Sequence, residues 1–281
     1  MVETSDISAK LSALRARLRD LGSVLVCYSG GVDSAFVLAA AHAELGARAV
    51  GMTAVSPSLA PMEREEAIEL ARGIGAEHRL VESSEIEDPD YVKNAPDRCF
   101  HCKSELYRIA VVKREEWGLA AIVNGTNTDD LGDYRPGLEA AKKAGVVSPL
   151  LDCGFSKVDV RAGAQALGLP VWDKPAAACL SSRIPYGTSV TRERLAQIGG
   201  LEAALRRLGF RQVRVRYHDD LARIEVDPGE LLRAADVTVR GEIVAAGKRF
   251  GFKYVTLDLL GYRTGSHNEV LAGRSLRVVG S

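Results

Sequence analysis

The chain has 281 residues, 46% of them apolar and 26% charged, with zero formal net charge at neutral pH. That length supports a large core and two domains, and the composition is ordinary for a soluble globular protein. No run reaches the length of a membrane span, and Met1–Asp6 is acidic without the apolar stretch of a secretory signal, so a cytoplasmic protein without membrane contact is expected.

Residues 6–20 carry Ile7, Leu11, Leu14 and Leu18 at helical spacing and read as an amphipathic leading helix. Strands are predicted at 24–28, 48–54, 78–82, 120–124 and 146–148. Helices are predicted at 33–44, 61–74, 103–116, 136–144 and 156–168. Pro61 with Glu63 and Glu65 makes a good helix start, because proline suits the first turn and acids suit the positive end. This alternation implies an α/β fold, a doubly wound parallel sheet that binds ligands at the carboxyl ends of its strands. Prolines 170, 175 and 185 then interrupt the chain. A smaller α+β domain follows, with helices at 191–208 and 237–249 and strands at 211–217, 222–227 and 253–259. The expected domains are 1–185 and 186–281. The second carries 16 Lys/Arg against 11 Asp/Glu, an excess that suits a small anionic substrate better than nucleic acid.

The stretch Ser29-Gly30-Gly31-Val32-Asp33-Ser34 follows the first strand and opens a helix. Two glycines let backbone N–H groups close on an anion, and the helix adds its positive end. Ser29 and Ser34 add hydroxyl donors. The loop lacks the Gly-Lys-Ser/Thr ending of a Walker loop. It resembles the PP-loop of the ATP pyrophosphatase superfamily (adenine nucleotide α-hydrolase-like). That resemblance implies that ATP is split between its α- and β-phosphates.

Other candidates fall on the same sheet edge. Thr53 and Ser56 end the second strand, where the backbone faces either an adenine ring or nothing but the next loop. Gly125 and Thr126 follow the fourth strand. Asp129, Asp130 and Asp133 form a polar cluster there, with Asp129 and Asp133 as the candidates for Mg²⁺; helix capping is the competing role. Cys99 and Cys102 form a C-x-x-C pair, a spacing that serves zinc, an iron–sulfur cluster or redox chemistry. Cys179 stands beside Ser181, Ser182 and Arg183, a setting for a thiolate nucleophile or for a small buried thiol. Cys27 and Cys153 read as packing residues. Arg214 and Arg216 alternate on one strand and so share a face, with Glu225 or an anionic ligand between them, and Arg263 sits on a glycine-bounded turn.

Taken together, Ser29–Ser34, Asn124–Gly137, Ala178–Gly187, Val213–Asp227 and Gly261–Glu269 resemble the LarE family of sulfur-inserting PP-loop enzymes. The resemblance implies synthesis of the nickel-pincer nucleotide cofactor. ATP with Mg²⁺ would adenylate the carboxylates of pyridinium-3,5-biscarboxylic acid mononucleotide, and a thiolate would displace AMP. By the same resemblance Cys179 is the sacrificial sulfur donor. Arg183, Arg214, Arg216 and Arg263, with Ser182, hold the substrate phosphate, and Glu225 orients or deprotonates. Cys99, Cys102 and Cys179 together offer three ligands to a 4Fe–4S cluster that would deliver sulfide instead. A homo-oligomer in contact with other enzymes of that biosynthesis is the expected assembly. The competing readings are a tRNA thiolase, an ammonia-dependent amidating synthetase and a non-catalytic adenine-nucleotide sensor. The even charge argues against the first, and pyrophosphate release separates the enzymes from the sensor.

Overall fold

The computed structural model describes residues 4–132, 136–175 and 178–263. In chain order the elements are α1 (Thr4–Leu21), β1 (Val24–Cys27), α2 (Val32–Leu45), β2 (Ala49–Val55), α3 (Pro61–Ile74), β3 (Glu77–Glu82), α4 (Pro89–Val92), α5 (Arg98–Glu116) and β4 (Ala121–Val123). Next come α6 (Pro136–Lys143), α7 (Pro149–Asp152), α8 (Lys157–Ala166), α9 (Arg192–Arg207), β5 (Val213–His218), β6 (Leu221–Val226), α10 (Leu231–Ala235), α11 (Val237–Arg249) and β7 (Tyr254–Leu257).

The chain divides into two compact units at Ala177/Ala178, eight residues before the expected boundary. The physical reason is Arg183. Its guanidinium forms a two-pronged ion pair with Glu202 of α9, which ties the Cys179 segment to the second unit.

The first unit is a parallel sheet ordered β3-β2-β1-β4. Side chains alternate across it, as the pleat requires. Val24 and Val26 of β1 join Leu14, Leu18, Phe36 and Val160 on one face. Leu25 points the other way, to Met52, Ile109, Ala110 and Ile122. Helices therefore cover both faces, and each buried Val, Leu or Phe adds about 1.5–3 kcal/mol. The expected strand at 146–148 shrinks to one parallel bridge, Val123 to Val147. Pro149 has no N–H to extend the ladder and starts α7 instead. Helix α5 begins at Arg98, five residues earlier than expected, so the C-x-x-C pair lies in its first turn.

The second unit holds a three-stranded sheet, β5-β6-β7, antiparallel between β5 and β6 and parallel between β6 and β7. Val213, Val215 and Tyr217 of β5 and Ala222, Ile224 and Val226 of β6 are all buried. The intervening residues of the two strands point to the opposite face, which carries the charged set described below. Among the described residues no helix is long and apolar enough to cross a membrane.

Candidate active site: a backbone cradle and an arginine cluster

The chain runs β1, β2, β3 to one side of the sheet and then returns to place β4 on the other side of β1. The carboxyl ends of β1 and β4 thus flank the switch point, where open α/β sheets bind ligands. Ser29–Ser34 leaves β1 there, and Asn124–Asn127 leaves β4.

Gly30 adopts φ +74°, and a Cβ on it would lie 2.9 Å from the Cβ of Ala67. Only glycine fits this left-handed turn against α3. Tyr28 fixes the same contact, donating its hydroxyl to the Ala67 carbonyl at 2.9 Å. Gly31 caps α2 without any side-chain hydrogen bond to the first-turn amides. Those N–H groups and the helix dipole favour an anion. Ser34 Oγ accepts from the Ser29 N–H at 3.1 Å, donates to the Gly31 carbonyl at 3.1 Å and lies 3.2 Å from Ser29 Oγ. The loop is therefore shaped from within, and the Ser29 residue stays exposed. Gly125 presses on this turn from β4. A Cβ there would meet the Ser34 nitrogen at 2.8 Å and the Asp33 carbonyl carbon at 2.9 Å. The neighbouring Thr126 N–H is held by Asn124 Oδ1 at 3.1 Å.

Asp33 faces Asn127, within the Asn124–Gly137 stretch already singled out, and Lys157, which no local pattern marked. It accepts from Asn127 Nδ2 at 3.1 Å and pairs with Lys157 Nζ at 2.5 Å. The Lys157 backbone N–H in turn donates to Asp129 Oδ2 at 3.0 Å. Asp33 and Asp129 are thus linked through one lysine at the start of α8. Mg²⁺ keeps most of its waters and needs only one or two carboxylates beside substrate phosphates, so these acids fit such an ion. Asp133 lies outside the described residues.

Thr53 is turned into the sheet. Its hydroxyl donates to the Tyr28 carbonyl at 2.7 Å and meets His78 Nε2 at 2.8 Å. Burial pushes the His78 imidazole below its ordinary value. Ser56 Oγ meets Ser58 Oγ at 2.8 Å, and Ser58 passes on to the buried Glu85 at 3.0 Å. Both side chains brace the strand ends. Cys99 is exposed and Cys102 half-buried. Burial pushes the Cys27 thiol up to about 12, with Lys103 pulling the other way, so this thiol stays protonated.

In the second unit Cys179 is half-buried and heads a short turn, Leu180–Arg183. Its carbonyl accepts from Ser182 Oγ at 2.8 Å, from the Ser182 N–H at 3.0 Å and from Arg183 Nη1 at 3.0 Å. Arg183 also donates to the Ala178 carbonyl at 2.5 Å and to Ser182 Oγ at 3.0 Å, while Nε and Nη2 hold Glu202 at 2.8 and 3.1 Å. It is 1% exposed. Arg183 is thus committed to the main chain around Cys179 and to Glu202, where the sequence suggested a grip on substrate phosphate. Glu202 has a second task, accepting from the Val215 N–H on the open edge of β5 at 3.0 Å.

Arg216 reaches the same turn from β5, donating to the Ser182 carbonyl at 3.0 Å and holding both oxygens of Glu225 at 3.0 and 2.8 Å. Glu225 is fully buried and stands opposite Arg214 in the ladder. Arg214 donates to the Val213 carbonyl at 2.8 Å and lies 5.2 Å from the Tyr262 ring centre. Two further residues, missed in the sequence, complete the set. Arg223 comes within 3.4 Å of Glu225 and also pairs with Asp258. Asp258 in turn lies 3.6 Å from Arg263. Three guanidiniums therefore pair with two carboxylates, and Arg214 stands opposite Glu225 in the ladder, a local positive excess suited to an anion. Strand alternation with Glu225 was the available signal for Arg223; nothing local marked Asp258 or Glu202.

A model of the family described as asparagine synthase matches residues 11–102, which include β1, the glycine loop and α2. Loop, sheet and match define the class: a PP-loop enzyme that uses ATP. Across the whole length, the pyridinium-3,5-bisthiocarboxylic acid mononucleotide synthase of Lactiplantibacillus plantarum is 39% identical over 272 residues, 96% of this chain and 98% of that enzyme. An uncharacterized protein of Synechocystis sp. is 48% identical over 265 residues, covering 94% of this chain and 99% of its own. One of Methanocaldococcus jannaschii is 29% identical over 241 residues, 86% of this chain and 91% of its own. The chain belongs to the LarE family and is an ATP-dependent sulfur-transferring enzyme.

Proposed function

We propose that this enzyme converts the carboxylates of pyridinium-3,5-biscarboxylic acid mononucleotide to thiocarboxylates for the nickel-pincer nucleotide. The observation that carries the reading is the Cys179 turn, held by Arg183 and Arg216 so that a half-exposed thiol is presented on a rigid main chain. The first unit serves as the ATP pyrophosphatase domain, and the second as the substrate-binding and oligomerisation domain.

ATP lies with its phosphates on the Ser29–Ser34 loop and the open amides of α2. Thr53, Ser56, Gly125 and Thr126 border the nucleotide. Mg²⁺, when bound at Asp129 or beside Asp33, offsets charge on the departing pyrophosphate. A substrate carboxylate attacks the α-phosphate, which turns a poor leaving group into AMP. The Cys179 thiolate then attacks the acyl carbon and expels AMP, giving a thioester. Loss of the cysteine Cα proton, with breakage of its Cβ–S bond, leaves a thiocarboxylate on the product and dehydroalanine at position 179. Arg214, Arg216 and Arg263, with Ser182, receive the substrate phosphate, and Glu225 keeps the arginines in register. Arg183 acts as a positioning residue for Cys179.

Cys99 and Cys102 on one turn of α5 support a second sulfur source. With Cys179 they would hold a 4Fe–4S cluster, which supplies an open iron for sulfide. The mass of the intact chain after one turnover tests the choice. Dehydroalanine at position 179 is expected of the sacrificial route. Several products per chain with Cys179 intact, in anaerobically purified protein containing iron and sulfide, would establish the cluster instead. No pyrophosphate release with this substrate would overturn both. The same reading makes the protein a cytoplasmic homo-oligomer that meets the enzymes before and after it in the pathway.

A further inference from the structure

Outside the nucleotide cradle and the arginine cluster, one group of side chains among the described residues has the composition and spacing of a metal centre. Asp88, Asp90 and His101 each offer a ligand atom, and these atoms all lie within 4.8 Å of one another. They come from two places. Asp88 and Asp90 begin α4 after β3, and His101 lies in the first turn of α5.

Three further features point to an ion here. First, His101 Nδ1 stands 3.7 Å from Asp88 Oδ2. That is too long for a hydrogen bond, whose mode is about 2.9 Å. It is close to the roughly 3.4 Å that separates two ligands bound tetrahedrally at about 2.0–2.1 Å from zinc. Second, the other ring nitrogen, Nε2, faces Asp97 Oδ2, also at 3.7 Å. This separation also exceeds a hydrogen bond, but it sets a carboxylate on the side of the ring away from Asp88, where an outer-sphere partner backs a metal-bound imidazole and can reach its N–H through one water. Third, Asp88 and His101 line a cavity of about 580 Å³ together with Glu105, Arg108 and the edge of the buried Glu85. Arg108 is held by Glu105 through two hydrogen bonds, at 2.7 and 2.9 Å, which occupies the one cation in that lining. The cavity leaves room for waters or a small ligand at the open coordination positions.

We infer that His101, Asp88 and Asp90 form a site for one divalent first-row cation of the Zn²⁺ type, with Asp97 orienting the imidazole from behind. One imidazole and two carboxylates suit such an ion better than Mg²⁺, which avoids imidazole, and better than Cu⁺, which seeks thiolates. The site is separate from the C-x-x-C thiols on the same turn, and it does not depend on the proposed substrate or sulfur source.

Cobalt(II) is the probe, since its visible spectrum distinguishes nitrogen and oxygen ligands from thiolate. The full chain carrying Cys99→Ser, Cys102→Ser and Cys179→Ser, freed of metal by chelation and kept without ATP, should bind one equivalent of Co²⁺ with no thiolate-to-cobalt absorption. Adding His101→Ala or Asp88→Asn should weaken binding at least a hundredfold. Asp97→Asn should weaken it about tenfold, the size expected of an outer-sphere partner. Thermal melting in chelator checks that each variant folds. Should the thiol-free chain not fold, the wild-type chain gives the same answer: zinc content should fall by one equivalent on His101→Ala. Unchanged Co²⁺ or Zn²⁺ binding after His101→Ala would overturn the inference. So would a bound ion whose spectrum shows only thiolate ligands. Absence of any bound Co²⁺ in the folded thiol-free chain would overturn it as well.

Discussion

The two units build anion sites by opposite means. The first uses main chain: two glycines, a helix start without a side-chain cap, and hydroxyls that mostly bond to the loop itself. The second uses side-chain charge, buried and half-buried: the guanidiniums of Arg216, Arg223 and Arg263 paired with Glu225 and Asp258, with Arg214 opposite Glu225 in the ladder. A backbone cradle carries no net charge, so it accommodates a polyphosphate that brings its own counter-ion. A guanidinium cluster is charged before the ligand arrives and must be held together by carboxylates meanwhile. The first site should therefore fail by shape, and the second by charge.

The largest effect is expected from shape. Gly125→Ala places a Cβ 2.8 Å from the Ser34 nitrogen and 2.9 Å from the Asp33 carbonyl carbon, and backbone cannot swing aside as a side chain can. A shift of the loop by about 1 Å is enough to cost roughly 100-fold in rate. Pyrophosphate release should fall by that order, while the second unit keeps its fold by circular dichroism. Gly30→Ala should do the same, with added strain of about 1–2 kcal/mol from its left-handed backbone. Normal turnover in either variant would mean that the cradle is not where the phosphates lie.

Charge is tested at Arg183. Arg183→Met leaves Glu202 buried without its counter-charge, which should cost about 3–5 kcal/mol in urea unfolding. Arg183→Met with Glu202→Leu should recover part of that. Full recovery is not expected, because the Val215 N–H loses its acceptor, a penalty of about 1–3 kcal/mol. If Arg183 positions Cys179, the double variant stays folded and still releases pyrophosphate, but transfers little sulfur. Equal loss of both activities would remove that role.

The same contrast decided how much could be read from the sequence. The cradle was legible because it is local. Strand, glycines and helix follow one another within a dozen residues, and glycine is the one residue type that such backbone demands. The shared face of Arg214 and Arg216 was legible too, since strand alternation is a fixed rule. Their partners were not. Arg183 and Glu202 meet across 19 residues, Arg223 and Asp258 across 35, and Lys157 and Asp33 across 124. Pairs of that span are created by tertiary packing, and no short-range pattern announces them. The domain boundary moved for the same reason: the prolines marked where helix stops, but the Arg183–Glu202 pair decided which unit owns the segment.

Asp33 offers a smaller test that separates function from stability. Its pair with Lys157 is partly open to water, with side chains 26% and 32% exposed. Such pairs contribute at most about 1 kcal/mol. Asp33→Asn and Lys157→Met should therefore leave the melting curve within that margin. Both should slow pyrophosphate release roughly ten- to hundredfold by releasing the turn from α8 and Asn127. A stability loss without a rate loss would make the pair a plain surface contact.

The smallest effect comes from two histidines, and it reads the contrast directly. His78, in the first unit, is held below its ordinary value of 6.5 by burial. His218, in the second, is lowered by burial and then by Arg223, with Arg216 adding to it, against the opposing pull of Asp219 and Glu225. A histidine with a depressed folded-state value binds fewer protons than the unfolded chain does. Its contribution is present above pH 6.5 and lost as pH falls through the folded value, so the urea midpoint should drop on acidification, and His78→Gln should blunt that drop. Salt separates the causes. Screening acts on the arginine field around the exposed His218 and leaves burial untouched. Raising ionic strength should thus move the His218 titration, followed by NMR, upward toward its ordinary value while His78 stays in place. Parallel movement of both would mean that the guanidinium cluster projects no more field than the backbone cradle does, and the distinction between the two sites would not survive it.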